Sequence, residues 1–222
     1  MEIFNHPEIK ELYGHLLTKL LDESGRGALL IATSHVDDFL VKLLEEVFPK
    51  DISKKQKDTL LKYPGHLSSL SSKIELAYAF RLISKNLYTS LNALRRIRND
   101  AAHSPTEFKL ADLNEKLKEV YNLGEHAPFF IRKISTEMLL ETKMVEVKKI
   151  FEELDVPEEE RREKILELFE DNETTDMLNE QLPFWELIHG ICFICAMIVF
   201  EKEQISKLTE GITTWGSQLK KK

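Results

Sequence analysis

Leu87, Leu91, Leu94, Ile97 and Ala101 fall three and four positions apart, and this period recurs along almost the whole chain. Apolar residues at that spacing form one stripe on a helix, and the stripe must be buried against another element. Alternating runs of Val, Ile and Thr are few, and glycine occurs only 8 times in 222 residues. Strand and hairpin signals are therefore nearly absent, and the expected fold class is all-α, a bundle of helix packed on helix.

Helix boundaries follow from the punctuation. Pro7 suits the first turn of a helix with Ile9, Leu12, Tyr13, Leu16, Leu17 and Leu20 inward, stopped by Ser24-Gly25. A second helix is expected from about Gly27 to Val47, with Leu30, Val36, Phe39, Leu40, Leu43 and Leu44 inward. Residues 49–70 read as a connection with a short helix across Lys54 to Leu61. Ser72-Lys73-Ile74-Glu75 has the spacing of a capping box and sets the start of the third helix. After a break near Ser84, the fourth helix carries the stripe from Leu87 to Ala101 and stops just past His103, because Pro105 disfavours helical geometry at Ser104. Further helices are expected over 111–121 and 129–154. Asp155 reads as the cap of an acidic helix ending near Asp171, and Pro183 as the residue preceding an apolar helix over 185–200.

Charge and hydropathy exclude some functions. Leu187 to Phe200 is the most apolar window, but its 14 residues include His189 and Gly190 and fall short of the ~20 that a membrane span needs. It reads as a buried core helix, and no membrane partner is expected. The first residues lack a basic segment followed by an apolar one, and two cysteines make no disulfide framework, so a cytoplasmic location is expected. Of the net charge of −7, residues 152–180 contribute 13 acidic against 3 basic side chains, leaving the remainder slightly positive. That field does not favour nonspecific duplex DNA. A small basic site for RNA stays open.

The chemistry concentrates in Arg95-Arg96-Ile97-Arg98-Asn99-Asp100-Ala101-Ala102-His103. A permanently charged guanidinium beside an imidazole suits phosphodiester cleavage without metal or cofactor: a base takes the 2′-hydroxyl proton, and a cation stabilises the phosphorane-like transition state. His103 is the candidate base, Arg98 the charge clamp, and Asn99 a group to orient phosphate or ribose, with Arg95 and Arg96 extending the binding surface. Five positions along an uninterrupted helix correspond to ~500°, which leaves Arg98 and His103 ~140° apart. They converge only if the last turn loosens before Pro105, or if a two-fold axis brings in a second copy of the motif. The bland alternative is a solvated helix end with favourable dipole contacts.

Other constellations read as structural. Cys192-Phe193-Ile194-Cys195 lies within an apolar helix without a second ligand pair, so buried thiols are expected over zinc or redox chemistry. His35, Asp37 and Asp38 read as a solvated helix face, with support of the histidine or metal binding as the alternative. The acidic segment 152–180 reads as solvated surface, and Gly25-Arg26-Gly27 is too short to argue for a phosphate loop.

The succession Leu70-Ser71-Ser72-Lys73-Ile74-Glu75-Leu76-Ala77-Tyr78, Leu82-Ile83-Ser84 and Leu94 to His103 resembles the mannitol operon repressor family, a branch of the HEPN superfamily. The resemblance covers about residues 28 to 105 and does not extend past about residue 150. It implies a helical bundle over 1–150, with 151–222 as a helical extension packed on it. It also implies a homodimer whose Arg98, Asn99 and His103 match the motif of metal-independent endoribonucleases. Noncatalytic members of that superfamily make a transcriptional regulator the alternative. Since no helix pair reads as a helix-turn-helix, such a regulator would act through a protein partner, an antitoxin or another regulator, and not by reading DNA directly.

Overall fold

A computed structural model describes residues 2–103 and 108–210, and among them the fold is all-α, with no strand. Its helices are α1 (Pro7–Leu20), α2 (Gly25–Glu45), α3 (Lys54–Leu61), α4 (Leu70–Ala79), α5 (Lys85–His103), α6 (Asn114–Tyr121), α7 (Ala127–Glu153), α8 (Glu158–Glu170) and α9 (Asn172–Thr209). Short 3-10 turns precede α1 and α6.

The stripes become the core. Leu87, Leu91, Leu94, Ile97 and Ala101 of α5 are all buried, as are Ile9, Leu12, Leu16 and Leu20 of α1 and Val36, Phe39, Leu40, Leu43 and Leu44 of α2. Helix α9 is the axis around which they collect: it packs along α1, α2 and α7, and α2 packs in turn on α4 and α5. An 18-residue window of α9 has a mean hydropathy of 1.9, and 83% of it is buried inside the protein, as a core helix requires. The segment after residue 150 thus divides in its role. The second half of α9 belongs to the main core, whereas α8 buries no residue at all.

Three of the differences from the sequence expectation have a clear structural reason. Helix α4 begins at Leu70, not Ser72: Ser69 is the cap, and its hydroxyl accepts from the Ser72 amide at 3.1 Å. Four serines crowd Ser68 to Ser72, and burial of Lys73 and Ile74 selects among otherwise equivalent caps. Asp155 does not cap α8. It adopts φ 51° and closes α7, where the amide of Val156 donates to the Phe151 carbonyl at 2.9 Å and that of Asp155 to Glu152 at 3.3 Å, the paired bonds of a Schellman motif. Arg81, at φ 59°, closes α4 the same way, with Leu82 donating to Ala77. Pro183 does not precede its helix but lies inside α9. The ring is buried, and the carbonyl it leaves without a donor, that of Asn179 one turn back, belongs to an exposed residue that water can reach.

Candidate functional site

Helix α5 presents its apolar stripe to α2 and α6, which turns Arg95, Arg98 and Asn99 toward a cleft of about 350 Å³. Thr33, Ser34 and Asp37 of α2 form one wall of this cleft, and Ser68 to Ser71, at the start of α4, form another. The wall is polar because of how α4 docks. Lys73, only 2% exposed, reaches Asp37 with two hydrogen bonds of 2.7 Å, pinning the first turn of α4 to α2. A buried ammonium demands such a partner, and the pair consumes the one carboxylate that lines the cleft.

The arginines, by contrast, keep their charge unpaired. Arg95 donates from Nε to the Asn92 amide oxygen at 3.3 Å, and Arg98 donates to the Asn99 amide oxygen at 3.1 Å. Neither has a carboxylate within ion-pair distance among the described residues. Arg96 points elsewhere, paired with Glu119 at 3.3 Å in a neighbouring depression that also holds Asp100 and Lys116 and that Asn99 borders from its other side. The candidate residues thus divide: Arg95, Arg98 and Asn99 share a cleft, and Arg96 belongs to a neutralised surface beside it.

His103 is not among the residues that line the cleft. It stands exposed at the end of α5, which stays α-helical through that residue, so the loosened last turn is not present. Pro105 lies outside the described residues. On continuous helix Arg98 and His103 remain ~140° apart around the axis. Within one chain the arginine and the histidine lie on different surfaces.

Sequence reasoning missed the serine wall and the Lys73–Asp37 pair. The serine run before α4 was a signal for hydroxyl donors, but nothing in the sequence places it opposite Arg98. Of the three polar residues on α2, Asp37 is an ion-pair partner, Asp38 is exposed, and His35 lies half-buried with its ring 6.4 Å from that of His15. Burial holds the His35 imidazole below its ordinary range. No group of three metal-ligating side chains occurs among the described residues.

A second polar cluster lies inside the core. His189 is 2% exposed; its Nδ1–H donates to the Trp185 carbonyl at 2.9 Å, and the Ser135 hydroxyl sits 3.0 Å from the same nitrogen. Burial lowers this imidazole to about 4, against the small opposing effect of the Trp185 carbonyl. Glu186 pairs with Arg132 at 3.0 Å, and Tyr121 packs over Gly190 with its hydroxyl lacking a partner among the described residues. Cys192 and Cys195 are free and buried, and burial pushes the Cys192 thiol up to about 12. Apart from the exposed Arg132, these groups are buried in the core.

No protein-family model, curated protein or solved structure matches this chain.

Proposed function

We propose that this chain is an RNA-directed protein of the HEPN type, acting as a homodimer that cleaves RNA without a metal. The observation that carries the reading is the pairing of two charge-unpaired arginines, Arg95 and Arg98, with Asn99 on one cleft wall, while an exposed histidine closes the same helix. Unpaired guanidiniums over a polar floor suit a phosphate, which they grip by bidentate, charge-assisted hydrogen bonds. His103 is free to face the cleft of a symmetry mate, and a two-fold axis would supply each cleft with the other copy's base. In that arrangement Arg98 binds and stabilises the phosphate, Asn99 orients it, and His103 accepts the 2′-hydroxyl proton.

The test is incubation of mixed RNA in excess chelator with the wild-type chain, Arg98→Ala and His103→Ala, alongside sedimentation to establish the oligomer. Chelator-resistant cutting by a dimer, lost in His103→Ala with the fold intact, is the expected result. A folded dimer that cuts no RNA would sink the enzyme. The second reading is a nonenzymatic regulator that works through a protein partner, and the ~140° separation of Arg98 from His103 favours it. It predicts RNA left whole and a bound protein whose capture depends on the α5 surface.

A further inference from the structure

The cleft between α2, α4 and α5 is unusual in its charge. Its only carboxylate, Asp37, is spent on Lys73, leaving the two arginines with no acid to answer them. Ser34, Ser68 and Ser71 line the same space, and their hydroxyls make no hydrogen bond to described residues. Two cations and three hydroxyls free to donate surround about 350 Å³ that holds no unpaired carboxylate. Apart from the Asp37 carboxylate that holds Lys73, the side-chain acceptors in the cleft are neutral: hydroxyl oxygens and the Asn99 oxygen, already engaged by Arg98.

We propose that this cleft is a binding site for a phosphomonoester of nucleotide size, the terminal phosphate of an RNA strand or a free nucleoside monophosphate. The charge argues for the monoester over the internal diester. A monoester carries about −1.5 to −2 at neutral pH, which two guanidiniums match, and it offers three acceptor oxygens to the hydroxyls and guanidiniums. An internal diester carries one charge, which a single guanidinium matches, so the pair of arginines favours the terminal phosphate of a strand over its internal ones. The volume lies at the lower edge of the range for small-ligand sites, roughly 300–1,000 Å³, enough for one nucleotide and not for a folded strand. As to the source of the ligand, the proposal rests on the RNA reading above.

The experiment measures equilibrium binding to short 2′-O-methyl oligonucleotides, which cannot be cleaved by 2′-hydroxyl attack. The oligonucleotides carry a 5′-phosphate, a 3′-phosphate or hydroxyl ends, with nucleoside monophosphates as competitors. Preference for one phosphorylated end by about tenfold or more is expected, since a charge-assisted contact contributes on the order of a decade in affinity. Arg95→Gln and Arg98→Gln should abolish the preference, while Lys133→Gln, a charge removed from exposed α7, should leave it intact. Competition by the monophosphate at equal affinity assigns the site to free nucleotide; weaker competition assigns it to the RNA end. Equal binding of phosphorylated and hydroxyl-ended strands would overturn the proposal, as would an equal loss in Lys133→Gln. Cleavage plays no part in the readout, so either proposal can fail while the other stands.

Discussion

Replacing Gly190 with alanine should destabilise the protein, although alanine is the better helix former. A Cβ at Gly190 would stand 2.7 Å from Cδ1 of Tyr121, closer still to Cε1, and 3.1 Å from Cζ. Carbon atoms in contact prefer about 3.5–4.0 Å, so the ring must retreat by roughly 1 Å or more. It has nowhere to go, because Tyr121 is 4% exposed and a ring edge cannot fold aside as a flexible chain end can. Overpacking of this kind costs about 1–3 kcal/mol, and the upper part of that range applies here. Exchanging glycine for alanine inside α9 returns about 1 kcal/mol, leaving a net loss of about 2 kcal/mol. At about 2–4 °C per kcal/mol for a chain of this size, the thermal midpoint should fall by roughly 4–8 °C. Thermal unfolding followed by circular dichroism reads the shift, and a double-mutant cycle assigns its cause. In a Tyr121→Leu background, where the offending ring atoms are gone, Gly190→Ala should be neutral or stabilising. If Gly190→Ala raises the midpoint in the wild-type background, the close packing of α6 on α9 is wrong.

Acid should act in two separate windows, one on the core and one on a half-exposed ion-pair cluster. His189 titrates near 4 in the folded chain and near 6.5 when unfolded, so between those values the unfolded state binds more protons. Its contribution is complete above pH 6.5 and is lost as pH falls to 4, by about 3 kcal/mol. Denaturant midpoints at pH 7, 5 and 4 should fall accordingly, and a flat profile would contradict the burial of that ring. Glu8 behaves differently. Burial alone would raise its carboxyl, but Lys202 and Lys42 outweigh it and hold it at about 2, so its contribution is full above 4.5 and is lost only as pH drops toward 2. Both thiols should resist iodoacetamide at pH 7 in the folded chain and react in guanidinium; rapid labelling of native protein would mean that α9 is not the enclosed core helix described above.

The sequence determined the all-α class, the five buried residues of the α5 stripe and the bounds of α3, because helical period and local punctuation act within a few residues of one another. It named Arg95, Arg98 and Asn99 as candidates, and it also required that Arg98 and His103 diverge on an unbroken helix, a consequence of 3.6 residues per turn. Tertiary structure alone decided the rest. Which serine caps α4 depended on burying Lys73 against Asp37, 36 positions away. Whether Asp155 would start one helix or close another, and whether Pro183 would stop α9 or ride within it, were decided by packing, since local propensities of about 1–3 kcal/mol yield to the burial of a long apolar helix. The cleft is the clearest case. The spacing of three and four that buries Leu94 and Ile97 also aims Arg95 and Arg98 outward, but only the docking of α2 and α4 supplies the hydroxyl walls and neutralises the acid facing them.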